Sequence, residues 1–168
     1  MKIRIAGITR ESVVDGPGLR AVIFTQGCPR CCKGCHNPDT LDPNGGIEMD
    51  VEEVLEELGP LKLIKGVTFS GGEPFIQAVA VAYLARRVKA QGKDIVTFTG
   101  YTFEELMTLS QRDEGIKELL ALTNLLIDGP FREEEKDLSL SFRGSRNQRL
   151  IDVPKSLSSG KVYEYCLE

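Results

Sequence analysis

Arg20-Ala21-Val22-Ile23-Phe24-Thr25-Gln26-Gly27-Cys28-Pro29-Arg30-Cys31-Cys32-Lys33-Gly34-Cys35-His36-Asn37 joins a compact apolar run to a loop holding four of the chain's five cysteines. The run Arg20 to Thr25 reads as a buried strand, so the cysteines follow its C-terminal end. Cys28, Cys32 and Cys35 stand in C-x3-C-x2-C spacing, which lets one loop aim three thiolates at a single inorganic centre. The same loop offers a zinc spacing, Cys28-x2-Cys31 and then Cys35, with His36 or Cys166 as fourth ligand. On the loop alone, an iron-sulfur centre and a structural zinc are equally open. Disulfides are not expected. Met1-Lys2-Ile3-Arg4-Ile5 lacks the apolar stretch of a secretory signal, which predicts reduced thiols and a cytoplasmic protein.

Length and composition narrow the classes. A chain of 168 residues closes one hydrophobic core, so a single domain over 1–168 is expected. A net charge of -4 and a pI near 5.2 give no electrostatic reason to expect nucleic acid, and no apolar run approaches a membrane span. The acidic run Glu133-Glu134-Glu135 reads as a solvated face.

Outward from the loop, strands alternate with helices. Residues Lys2 to Ile8 read as a first strand or its start, and Val14-Asp15-Gly16-Pro17-Gly18 as a turn. Asp50 with Glu53 forms a capping box for a helix with Val51, Val54, Leu55 and Leu58 on one face, stopped by Gly59-Pro60. Gly66 to Ser70 is a buried strand ending in Gly71-Gly72-Glu73-Pro74. A helix with Ile76, Val79, Ala80, Tyr83, Leu84 and Val88 in phase follows and ends near Gly92. Asp94 to Thr99 is a strand closed by Gly100-Tyr101. Thr102 with Glu105 caps a helix bearing Phe103, Leu106 and Met107; Ile116, Leu119 and Leu120 mark another before the strand Asn124 to Ile127, which ends in Asp128-Gly129-Pro130. This order predicts an α/β fold: a parallel sheet with outer helices, either open or an incomplete barrel. It also gathers the cysteine loop, Gly71-Gly72-Glu73, Gly100-Tyr101 and Asp128-Gly129 on the C-terminal edge, where such sheets bind ligands.

The cysteine spacing together with Gly71-Gly72-Glu73 resembles the radical S-adenosylmethionine (SAM) enzymes. The resemblance implies a partial TIM-type barrel and a [4Fe-4S] cluster on Cys28, Cys32 and Cys35 with one iron left open for SAM. It also places the methionine part of SAM at Gly71, Gly72 and Glu73, and the adenine near Gly34, Cys35 and His36. Thr99 and Asp128 are weaker candidates for the same pocket. Gly34 stands where many family members carry an aromatic residue, which leaves His36 as the nearby ring. Cys31 is extra to the three-ligand set, and Cys166 reads as a free thiol. No acid-base side chain is expected to be catalytic, because the cofactor carries the hard step.

Val14-Asp15-Gly16-Pro17-Gly18-Leu19-Arg20, Cys35-His36-Asn37-Pro38 and above all Asp128-Gly129-Pro130-Phe131 with Phe142 to Arg149 narrow the similarity to glycyl radical activases, and within them to the activating proteins of anaerobic (class III) ribonucleoside-triphosphate reductase. This resemblance implies hydrogen abstraction from a backbone glycine of that reductase, with an electron donor such as a flavodoxin or ferredoxin. An activase of the pyruvate formate-lyase type is the nearest alternative; a zinc-stabilised binding module is the alternative from another class. Arg143, Arg146 and Arg149 read either as a solvated polar turn or as a stretch that docks the reductase or orders the SAM pocket.

Overall fold

The computed structural model describes residues 1–167. Strand β1 (Lys2–Ser12) runs past Ile8 and pairs antiparallel with β2 (Arg20–Thr25). Only residues 13–19 join the two, fewer than the dozen or so that a parallel crossover needs, so they form a hairpin. A short strand β3 (Ile47–Asp50), which the sequence pattern did not indicate, adds antiparallel to β1. Helix α1 (Val51–Leu58), β4 (Gly66–Gly71), α2 (Ala78–Lys89), β5 (Asp94–Phe98), α3 (Phe103–Ser110), α4 (Glu114–Leu122) and β6 (Leu125–Asp128) then follow. Two further unanticipated elements end the chain: β7 (Arg149–Asp152), antiparallel to β6, and α5 (Val153–Ser159).

The sheet order is β3-β1-β2-β4-β5-β6-β7. The expected parallel arrangement therefore holds for the four central strands β2, β4, β5 and β6, and both flanks are antiparallel. The sheet is open, with β3 and β7 as its two edges.

Period-2 alternation divides this sheet into two faces with different duties. Ile3, Ala21, Ile23, Val67, Phe69, Ile95, Leu126 and Ile151 point to the large core, where they meet the apolar stripes of the helices. The opposite face has only a small cluster, Val96, Leu125, Ile127 and Leu150, with Phe98, Phe142 and Tyr165 packed against it. Helices thus cover one face, and the other is left for a cavity.

Local chemistry fixes the helix ends. Asp50 and Glu53 form the expected capping box on α1, and the Thr102 hydroxyl accepts from the Glu105 N–H at 3.1 Å to start α3. Helix α2 keeps its expected phase at Ala80, Leu84 and Val88, which are buried, and at Tyr83, which packs partly buried against the core. A 3-10 turn, Pro74–Gln77, precedes it, and Ala78, Val81, Ala82 and Ala85 widen the buried stripe. Ile76 and Val79, expected on that stripe, are exposed. The Glu73 carboxylate caps the 3-10 turn through the Phe75 N–H, and this tighter turn holds Ile76 outside the α-helix. Truncating Leu84 to Ala would cost about 2–5 kcal/mol.

Candidate functional site

The cysteine loop is held at its root by main-chain bonds. Past β2, the Gly27 N–H donates to the Thr40 carbonyl at 2.6 Å and the Cys28 N–H to the Leu41 carbonyl at 3.1 Å. The Gln26 side-chain amide, buried, donates to the carbonyls of Asp39 and Asp42. The loop leaves the strand and returns to it within fifteen or so residues, closed on a short 3-10 turn, Pro38–Thr40.

Gly71-Gly72-Glu73 is spliced onto that root. The Gly72 N–H donates to the Thr25 carbonyl and the Glu73 N–H to the Gly27 carbonyl, both at 2.8 Å. Gly71 has φ +89, and a Cβ there would lie 2.5 Å from the Thr25 carbonyl oxygen; a Cβ on Gly72 would overlap the Gly27 carbonyl. Glycine is demanded here because two backbones touch. The turn and the cysteine loop are one assembly, which the spacing of the motifs does not reveal.

Cys28, Cys32 and Cys35 line one cavity of about 420 Å³ beside this assembly, together with His36, Gly71, Gly72, Glu73 and Thr99. The volume suits a nucleoside-sized ligand. Its floor is the helix-free face of the sheet, through Phe24, Ser70, Phe98 and Ile127. Cys31 is exposed, has a left-handed φ of 47 and does not line the cavity. Among the described residues, no three or more His, Cys, Asp or Glu side chains converge closely enough to hold a single metal ion. A multi-iron cluster makes a looser demand, because each thiolate binds its own iron. Burial pushes the Cys28 thiol up; a bond from the Arg30 N–H opposes this, and the charges of Glu73, Cys32 and Cys35 add to it. A cationic centre among these thiols would relieve that cost, and the donor set fits an iron-sulfur cluster.

Glu73 is fully buried, and its carboxyl is pushed up to about 7 by desolvation, against bonds from three donors. Gly100 N–H reaches Oε2 at 2.8 Å, while Phe75 N–H and the Thr99 hydroxyl reach Oε1 at 3.1 and 2.8 Å. The carboxylate thereby fastens the end of β4 to the end of β5. Arg30, inside the cysteine loop, lies 4.6 Å over the Tyr101 ring and donates to Glu105 at 2.9 Å, adding a second tie to the same place.

The opposite wall comes from residues 129–148. Phe131 packs on His36, with ring centroids 5.0 Å apart. Gly34 does not line the cavity; it lies behind, where a Cβ would meet Phe131 at 3.2 Å. Asn147 donates to the Pro130 carbonyl at 2.7 Å and Gln148 to the Gly129 carbonyl at 3.0 Å. Asp128 faces away from the cavity. It is buried, accepts the Phe103 N–H at 2.8 Å, and pairs with Arg149, which also bridges to Glu104. These bonds hold the Arg149 guanidinium well above its usual range. Alternation gives the reason: Ile127 lines the cavity, so its neighbour Asp128 points to the helix side. Of the three arginines in residues 142–149, Arg149 is a structural clamp, Arg146 is exposed, and Arg143 lines the cavity. Phe24, Arg30, Phe98 and Phe131 are cavity residues without an assigned role in the sequence reading; strand alternation from Ile127 outward would have found the first and third.

Residues 14–151 match the family described as 4Fe-4S single cluster domain, which decides for iron-sulfur over zinc. The chain is 38% identical over 144 residues to the anaerobic ribonucleoside-triphosphate reductase-activating protein of Vibrio cholerae, covering 81% of this chain and 89% of that one. It is 33% identical to the protein of that name from Escherichia coli, covering 81% and 90%. It is also 40% identical over 113 residues to the pyruvate formate-lyase-activating enzyme of Clostridium pasteurianum, covering 62% of this chain and 48% of that one. Among solved structures, QueE from Escherichia coli aligns with 61% of this chain and 54% of its own, at a TM-score of 0.46 and 20% identity.

Proposed function

The chain belongs to the anaerobic ribonucleoside-triphosphate reductase-activating proteins, and from that premise we propose that it creates a glycyl radical on such a reductase by reductive cleavage of SAM. When bound, a [4Fe-4S] cluster supplies the electron and SAM supplies the carbon-centred radical that removes a hydrogen atom from the glycine. Cys28, Cys32 and Cys35 hold the cluster and leave one iron to the ligand. Gly71, Gly72 and Glu73 take the methionine part of SAM, and Cys35 and His36 border its adenine, with Gly34 shaping the loop behind them. Glu73 Oε2 accepts one N–H and keeps acceptor capacity for a ligand ammonium. Phe24, Phe98, Ile127 and Phe131 exclude water from the space between.

The observation that carries this reading is the convergence of three of the four loop cysteines with the Gly-Gly-Glu turn on one cavity. Around it we place a single domain, a flavodoxin or ferredoxin as electron donor and a reducing cytoplasm; among the described residues, no helix is long and apolar enough to cross a membrane. The test is anaerobic incubation of reconstituted protein with SAM, a reductant and the reductase. An EPR doublet on the reductase is expected. The 40% identity to a pyruvate formate-lyase-activating enzyme gives a second reading, and a doublet on a formate-lyase but not on the reductase would select it.

A further inference from the structure

The ionisable groups on the cavity wall are unbalanced. Cys28, Cys32, Cys35, Glu73 and Asp15 stand against two arginines and His36. Arg30 is held by a salt bridge to Glu105 and by the Tyr101 face, with its buried Nε left without a partner among the described residues. Arg143 has no carboxylate partner among the described residues; only its Nε is engaged, by the Ser141 carbonyl at 3.3 Å in its own turn. A half-buried guanidinium loses hydration without a counter-charge to offset it, and its planar edge retains four N–H donors.

The turn that presents this side chain is pinned on both sides. Phe142, just before it, sits at φ 59 and packs against the cluster of Val96, Leu125, Ile127 and Leu150. Gly144, just after it, packs on Phe131 and His36; its N–H donates to Gln148 Oε1 at 2.8 Å and its carbonyl accepts the Asp137 N–H at 3.1 Å. A bulky residue in the left-handed region costs of order 1–3 kcal/mol and persists only where its surroundings over-determine it. These contacts hold Arg143 on the wall opposite the Gly-Gly-Glu turn.

We infer that Arg143 is the carboxylate receptor of this cavity and that, given the proposed function, it holds the carboxylate of SAM. A guanidinium fork matches a carboxylate through two parallel N–H bonds. Its place in the lining of the same cavity as the cysteines, across from them, favours the bound ligand over an acidic side chain of the protein partner. Arg146, three residues on and exposed, is the better placed of the two for a partner.

The test is anaerobic equilibrium dialysis of cluster-reconstituted protein with SAM and, separately, with decarboxylated SAM, which keeps the sulfonium, adenosine and amine. Wild type, Arg143→Ala, Arg143→Lys and Arg146→Ala are compared at equal iron content. Arg143→Ala is expected to weaken SAM at least tenfold and decarboxylated SAM less than twofold, with Arg143→Lys intermediate and Arg146→Ala unchanged for both. Equal weakening of both ligands would reduce Arg143 to a structural residue. Unchanged SAM binding with weakened affinity for the reductase would assign it to the partner. Either result overturns the inference while leaving the proposed function standing. Wild type that binds neither ligand would overturn both. If the alanine variant fails to hold iron, the lysine variant decides by the same selectivity between the two ligands.

Discussion

Residues 25–37 and 71–73 meet main chain to main chain, whereas residues 128–149 are fastened across from them by side chains. On the first side, Thr25 and Gly27 carbonyls accept the N–H groups of Gly72 and Glu73, and two glycines let the backbones touch. On the second, Asn147, Gln148, Ser145 and the Asp128–Arg149–Glu104 bridge hold a long return loop to strand ends distant in sequence. Main-chain fastening is indifferent to most side chains but intolerant of an added Cβ. Side-chain fastening tolerates small changes of shape but fails when one polar partner is removed. The cysteine-bearing wall is therefore fastened through main chain, and the opposite wall is an assembly of replaceable side-chain bonds.

The sharpest way to break the first wall is Gly72→Ala. Its Cβ overlaps the Gly27 carbonyl, so the turn and the cysteine loop must separate. Loss of most bound iron after anaerobic reconstitution is expected, measured by iron content and visible absorbance per chain. Full iron loading would mean that the two backbones are not fastened as described. On the second wall, Arg149→Ala strips a buried Asp128 of its charge partner and should destabilise the apoprotein by about 3–5 kcal/mol. A urea midpoint within error of wild type would show the bridge to be idle.

A pH comparison sharpens the role of Glu73. Its carboxyl is pushed up to about 7 in the folded chain, above an unfolded value of 4.5, so between those values the folded state holds a proton that the unfolded state has lost. The contribution of this group to stability is greatest below about 4.5 and is lost as pH rises through about 7. The apoprotein should gain up to roughly 3 kcal/mol from this group between pH 8 and pH 5, and Glu73→Gln should lack that gain. Urea titrations of both proteins at the two pH values check it; parallel pH profiles would contradict it. Cys31→Ser marks the small end. With Cys31 exposed and off the cavity, stability should change by no more than about 0.5 kcal/mol, and the iron-sulfur absorbance should be retained in full.

What could be read from the chain follows the same division. The central strands and the cysteine loop announce themselves because their signals are local: an apolar run, a fixed cysteine spacing, glycines after a strand. β3 was silent because Ile47-Glu48-Met49-Asp50 leaves Ile47 and Glu48 exposed and shows no buried alternation. β7 was silent because it is four residues long and begins with Arg149, which reads as the end of a polar turn. Arg149 declares its role only through partners 21 and 45 residues away. The exposure of Ile76 was hidden for a related reason: helical phase assumes that the helix begins where the apolar pattern does, and the Glu73-capped 3-10 turn keeps Ile76 outside the helix. Asp128 was legible in principle, since alternation from a cavity-facing Ile127 turns it toward α3.

The most direct measurement is anaerobic EPR of the reconstituted, dithionite-reduced protein with and without SAM. A reduced [4Fe-4S] signal that changes shape when SAM is added is the expected result, because the three cysteines and the Gly-Gly-Glu turn share one cavity. A signal indifferent to SAM, or a colourless protein holding stoichiometric zinc, would contradict it.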